Sequence, residues 1–537
     1  MAAIVTDQFR ILNANNFIET VENSANSYYI FLGLTDPGRD GYGRKTSLDD
    51  PDGWNNDTPV PEDSINDVNH ISDTMIFGKR VTSDNIRRLV KRVDWAAGTR
   101  YNMYRHDYNS QNPAPVSDAQ RLYDARYFVM NKDFNVYVCI DNGSSGINTN
   151  GNASQDEPTF TGLEPSRAGE SGDGYIWKYL FTVSPSDIIK FDSTDYISVP
   201  SNWSTSDNAQ IKAVRENGDS TINGNQIKKV YIDNEGNGYK DGLGQEVSIL
   251  GDGSGARVVL DIVNSKITDA VVSSGGKGYS FGIVDLGTVN TGVNTLSGGV
   301  FSKLIPIIPP AKGHGSDIYK ELGTDKVLLY ARFDDKDKDF PIDTKFAQVG
   351  IVKNPTSIGS TNVYTGSSFS SLGAIKFVDS TTVSPTIGEV INQQLPNGNK
   401  AKGIVASFDD DTKVLKYYQD RSLYFEPYKH DQTDRLDVSN EAVVYSFDND
   451  TTGGAVPANV EAIAGGSGFT GQIQTTYSGI TTNPTGTKLI SLGTEFTDGL
   501  SEPEINKGSG EIIYLDNRSL ITRNARQKED VKIILEF

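Results

Sequence analysis

At 537 residues the chain is too long for one hydrophobic core and is expected to fold as several domains. A formal net charge of −20 excludes the basic footprint that phosphate binding needs, so no nucleic acid is expected as a partner. The single cysteine, Cys139, excludes an intramolecular disulfide framework and fits synthesis in a reducing cytoplasm.

No basic and then apolar leader opens the chain, and no run of about 18 apolar residues occurs, so neither a signal peptide nor membrane insertion is expected. In chain order, Ala3-Ile4-Val5-Thr6 reads as an opening strand. Asn13 to Ala25 reads as a helix carrying Phe17, Ile18 and Val21, and Tyr28 to Leu34 as the next strand. Residues 35 to 74, punctuated by Asp-Pro-Gly, Asp-Gly, Pro59 and Pro61, read as loop. Ser83 is expected to cap an amphipathic helix with Ile86, Leu89, Val90 and Val93 at i, i+3, i+4 and i+7. Its basic residues, Arg87, Arg88, Lys91 and Arg92, would then form a wet face. Tyr127 to Met130 and Val136 to Ile140 form a strand pair in which Cys139 is a small buried hydrophobe, and the Gly/Ser/Asn-rich stretch 141–160 is expected as a mobile loop.

The patterning is densest from Glu170 to Val199. Gly172-Asp173-Gly174 signals a turn. Tyr175, Trp177, Tyr179 and Phe181 then alternate onto one face, and Ile176 and Leu180 with Lys178 onto the other, which predicts a core strand. Ser184-Pro185-Ser186-Asp187 reads as a helix start and Asp195 to Pro200 as a further strand.

An internal repeat follows. Ile227, Val230, Ile232, Gly236, Gly238 and Tyr239 recur 40 residues later as Ile267, Ala270, Val272, Gly276, Gly278 and Tyr279. A weaker echo runs from Val460 to Gly466-Ser467-Gly468-Phe469. Each copy reads as a strand, a glycine turn and an aromatic plug. Gly251-Asp252-Gly253-Ser254-Gly255 looks like a phosphate loop but precedes a strand, Val258 to Ile262, instead of a helix, and so fails that reading. Leu304 to Pro310 is a buried run, Asp317 to Leu322 a short helix closed by Gly323, and 327–332 and 349–352 are strands. Residues 356 to 506 turn Thr-, Ser-, Gly- and Asp-rich, with strands at Ala401 to Phe408 and Val414 to Tyr418. Strong strand patterning returns at Glu511 to Leu515 and Val531 to Phe537. The fold class expected is α+β, predominantly β and multidomain, with mixed sheets, β-sandwich-like domains and a few short helices.

Chemistry is thinly marked. His70, His106, His314 and His430 lie far apart, with no spacing that makes a metal pair. The acidic runs at 49–52, 334–339 and 409–411 do not continue into a calcium loop and read as solvated turns. No nucleophile elbow or phosphate loop occurs, and no catalytic, cofactor or metal residue is assigned. Carboxylate pairs for glycoside hydrolysis leave no spacing signature, so a polysaccharide-degrading enzyme stays open on the residues alone.

Several motifs carry a resemblance. Ala3-Ile4-Val5-Thr6-x-x-Phe9-Arg10, Pro59-x-Pro61-x-Asp63-Ser64 and Arg92-x-Asp94-Trp95 with Thr99-Arg100-Tyr101 are followed by Gly172-Asp173-Gly174-Tyr175-x-Trp177-x-Tyr179-Leu180-Phe181. Then come Tyr196-Ile197-x-Val199-Pro200, Ile351-Val352-x-Asn354-Pro355, Gly510-Glu511-Ile512-Ile513-Tyr514-x-x-Asn517-Arg518 and Ile533-Ile534-Leu535-x-Phe537. In this order they resemble the dimeric baseplate wedge subunit of T-even-type contractile-tailed phages.

The resemblance covers roughly 1–205, 304–355 and 508–537. It implies a non-enzymatic virion protein of the tail baseplate, assembled in the host cytoplasm, without cofactors, that pairs with itself and packs against other wedge proteins. It also implies one discontinuous core domain from 1–110, 304–355 and 508–537, beside a β-rich middle domain at 111–212. Residues 213–303 and 356–507 then read as two inserted β-modules. Host-surface contact through those modules is a further expectation, and a tail-associated receptor-binding or polysaccharide-degrading protein is the alternative.

Overall fold

The computed structural model describes residues 4–35, 37, 51–218, 226–289, 300–334, 340, 344–378, 383–395, 400–420, 423, 446–449, 462–484, 486–524 and 527–537. The fold is α+β and predominantly β, with antiparallel sheets and six helices among the described residues. Contact density divides the chain into two compact units, 1–17 with 87–328 and 534–537, and 18–86 with 329–533.

The first unit is built on the strand Tyr175–Thr182, which pairs antiparallel with Asn135–Asn142, itself paired with Phe128–Met130. The expected core strand is present, and Trp177 and Phe181 are both buried. A register shift opposite Val136/Tyr137 lets Phe181 face Val136 and Tyr179 face Tyr137, so Leu180 is the extra residue and strict alternation ends there. The rings of Tyr175 and Trp177 stack at 5.2 Å, Tyr101 meets Trp177 edge-on at 5.8 Å, and the Tyr175 hydroxyl accepts the Tyr101 N–H. Helix Pro185–Phe191 starts as expected, with Ser184 accepting the Asp187 N–H and proline in its first turn.

Four sequence expectations are corrected. Residues 4 to 6 are not a strand: the Thr6 hydroxyl accepts the Phe9 N–H and opens a helix, Asp7–Glu22, that starts earlier than the apolar residues suggested. Ile86–Lys91 is a strand after a single tight turn at Ser83–Asn85, not a helix. It pairs with Tyr196–Val199, and its arginines are not a wet face. Arg87 pairs with Asp187, while buried Arg88 donates to Asn15 Oδ1 and the Ser201 carbonyl and lies over the Tyr319 ring. An apolar set at helical spacing fits a strand equally well when both of its faces are covered. The stretch 141–160 is tied down by amide side chains. Asn142 donates to the Tyr101 carbonyl and Asn152 to the Asp173 carbonyl, while the Tyr175 hydroxyl donates to the Asn152 carbonyl. The fourth correction lies in the second unit. Residues 35–74 are not all loop, because Pro51–Asn56 and Ile65–Thr74 are helices, the latter capped by Ser64. That helix buries Asp67, His70 and Thr74 as well as Ile71, so hydropathy did not reveal it.

Within the first unit the repeats fold as read. Val230–Asn234 pairs with Lys303–Pro306, and Lys266–Lys277, Ser254–Val263, Gly242–Gly251 and Gly282–Val284 form a four-stranded sheet. Gly236 and Gly238, like Gly276 and Gly278, hold positive φ, and Tyr239 and Tyr279 are buried as plugs. Gly251 to Gly255 is the turn between two sheet strands.

The second unit holds a five-stranded sheet ordered Ser368–Ser370, Met75–Val81, Tyr28–Gly33, Lys345–Lys353, Glu511–Thr522, so that segments distant in sequence become neighbours. A second, seven-stranded sheet centres on Lys400–Asp409 and Val414–Tyr418. Its core includes Phe469, the plug of the third, weaker repeat copy.

Candidate functional site

A group of buried polar side chains converges in the first unit around the short helix Ile318–Leu322. Asp317 caps it by accepting the Lys320 N–H, and Gly323 closes it in the left-handed conformation, as the sequence suggested. The helix presents Glu321 to the interior. Its Oε1 lies 2.6 Å from His314 Nδ1 and its Oε2 accepts the Gly315 N–H at 2.7 Å. The Tyr104 ring stands edge-on to His314 at 4.8 Å, and the Tyr127 hydroxyl donates to the Glu321 carbonyl. Burial pushes the Tyr104 and Tyr127 hydroxyls far above the usual phenol range, with the Glu321 charge adding to it, so both stay neutral.

This cluster can orient an imidazole, but the space beside it is small. The pocket lined by Tyr104, His314, Lys228 and Lys229 has a volume of about 10 Å³, the room of one water. A larger cleft, about 240 Å³, lies at the end of the Tyr175–Thr182 strand, lined among others by Tyr179, Phe181, Asp187, Ser198 and Ile211. Arg87 engages Asp187 there, and no histidine or lysine lines the cleft to serve as a base for the Ser198 hydroxyl.

The structure keeps the histidines in separate surroundings. His70 is buried in the Ile65–Thr74 helix, His106 Nδ1 accepts the Ile308 N–H at 3.2 Å, His314 pairs with Glu321, and His430 lies outside the described residues. Among the described residues no group of three or more His, Cys, Asp or Glu side chains is placed to hold a metal ion. The run at 409–411 is a hairpin turn in which Asp409 accepts the Asp411 and Thr412 N–H groups. The runs at 49–52 and 334–339 fall mostly outside the described residues. Cys139 is fully buried, and burial raises its thiol well above the usual range, which makes it inert.

Two features escaped the sequence reading. The Glu321–His314 pair spans seven residues with no motif around it. Lys178, inside an otherwise apolar strand, was placed on a face without a partner. Its Nζ donates to the Leu163 carbonyl and to Asn217. On the outside of the repeat module, Leu250 and Ile283 face each other across neighbouring strands and are 54% and 65% exposed, with Phe281 nearby at 56%. Among the described residues no helix is long and apolar enough to cross a membrane. No protein-family model matches this chain, and no curated protein matches it.

Proposed function

We propose that this chain is a non-enzymatic structural subunit of a contractile-tail baseplate wedge that pairs with itself and packs against other wedge proteins. The observation that carries the reading is the chain order of the motifs, from Phe9-Arg10 through Gly172-Asp173-Gly174-Tyr175 to Asn517-Arg518 and Phe537. Their aromatic residues support it by going into packing: Tyr175, Trp177, Tyr179 and Phe181 are all buried in one core cluster. Apolar side chains left on the outside, such as Phe9, Leu12, Leu250 and Ile283, are surfaces that assembly would cover.

A cryo-EM map of a contractile-tailed particle made with this chain tests the reading. Density for the chain in paired copies at the baseplate is the expected result. Its presence only on distal fibres, or its absence from the particle, would overturn it.

A second reading, receptor binding, draws on the exposed Leu250, Phe281 and Ile283. Leu250→Ser with Ile283→Ser in the full chain separates the two. Lost adsorption to host cells with intact particles favours the receptor, and lost particle assembly favours the wedge.

A further inference from the structure

The Tyr175–Thr182 strand buries one lysine. Lys178 is 4% exposed between Trp177 and Tyr179, and its Nζ donates to the Leu163 carbonyl at 2.8 Å and to Asn217 Oδ1 at 3.0 Å. Asn217 stands at the end of the helix Ala209–Gly218, and its Nδ2 donates to Glu164 Oε1 at 3.2 Å. An amine, a carboxamide and a carboxylate therefore form one chain of contacts. Leu163 and Glu164, adjacent in sequence, supply both the carbonyl that orients the amine and the carboxylate at the amide nitrogen.

We propose that Lys178 and Asn217 condense into an intramolecular isopeptide bond, with Glu164 carrying the proton. The neutral Nζ attacks Asn217 Cγ and forms the new C–N bond. A proton from Nζ passes through the Glu164 carboxylate to Nδ2, the Cγ–Nδ2 bond breaks, and Nδ2 leaves as ammonia. No oxidant or cofactor is needed, and the product is lighter by about 17 Da, one ammonia.

The physical drive is the buried charge. Neither hydrogen-bond partner of Nζ is a carboxylate, so burial works against the ammonium form and lowers the amine below its ordinary range, with the charges of Glu321 and Glu164 opposing. A desolvated amine is the activated form of a lysine nucleophile, and the amide product removes the buried cation altogether. Lys228 Nζ lies 3.9 Å from the other oxygen of Glu164, a second cation beside the carboxylate. The bond would staple the core strand to the Ala209–Gly218 helix across 39 residues.

Mass spectrometry of the full-length protein tests this. The expected wild-type result is an intact mass about 17 Da below that of the sequence, and a branched tryptic peptide joining Lys178 to Asn217. Asn217→Ala should restore the sequence mass. Glu164→Gln changes a half-exposed side chain, so its fold, checked by circular dichroism, should persist while bond formation slows roughly a hundredfold. Wild-type protein at full sequence mass, with Lys178 and Asn217 in separate unmodified peptides, would overturn the bond. A branched peptide forming at the wild-type rate in Glu164→Gln would overturn the role of the carboxylate.

Discussion

Tyr279 is tied to Ile249 by a hydrogen bond: its hydroxyl donates to the Ile249 carbonyl at 3.0 Å while accepting the Ala256 N–H at 3.2 Å. One phenol thus satisfies two buried main-chain groups on neighbouring strands. The glycine turn beside it is what allows the ring in, since a Cβ on Gly276 would meet the Ala256 nitrogen at 2.5 Å. Tyr279→Phe keeps the ring and strands both groups, so it should destabilise the protein by roughly 1–3 kcal/mol. Urea denaturation would measure this, and an unchanged midpoint would mean that the ring alone does the work.

The repeat module is anchored through its first strand. Lys229 Nζ lies 2.8 Å from Asp141 Oδ2, and the Tyr231 ring lies under the Arg105 guanidinium at 3.9 Å. Burial raises the Asp141 carboxyl above its ordinary range against the pull of Lys229, which marks how much the lysine has to offset. Lys229→Met should cost about 3–5 kcal/mol by leaving that carboxylate unpaired. Adding Asp141→Asn should recover part of the loss in thermal melts. If the single variant melts like wild type, the module is held by other contacts.

Acid sensitivity should trace to Asp107. Burial pushes its carboxyl up, but the hydrogen bonds and charge of Arg105, at 2.9 and 2.8 Å, outweigh this and hold it below the ordinary 3.8. A carboxyl lower in the folded than in the unfolded state adds stability above its unfolded value. That stability is lost as pH falls through the folded value. Stability should therefore drop as pH falls below about 3.8. Asp107→Asn should flatten that drop while costing about 3–5 kcal/mol at neutral pH, because Arg105 is 1% exposed and would lose its counter-charge. A steep acid transition unchanged in the variant would contradict this.

Truncation after Lys507 should prevent folding. It removes Glu511–Thr522, the sheet partner of Lys345–Lys353. It also removes the Arg518 carbonyl that accepts from Trp54 Nε1 and the Asn517 amide that accepts from Gln348. Soluble yield and a cooperative melt are the measurements, and a soluble, cooperatively melting fragment would refute the expectation.

The sequence by itself determined the elements whose signal is local. The two-sided apolar run at Tyr175 to Phe181 could only be a buried strand. Ser184, Asp317 and Gly323 marked helix ends through their own cap chemistry. The Gly-x-Gly-Tyr spacing fixed two turns because only glycine reaches positive φ at no steric cost.

Tertiary structure decided whatever depended on a distant partner. Ile86–Lys91 has an apolar spacing that suits helix and strand alike, and it became a strand because Tyr196–Val199 offered an edge and Asn15 a place for Arg88. The Ile65–Thr74 helix buries polar residues, and no hydropathy pattern shows which polar groups will find partners. Lys178, Asn217 and Glu164 belong to different elements, and only the packed chain brings the Asn217 amide into hydrogen-bond range of both the Lys178 amine and the Glu164 carboxylate.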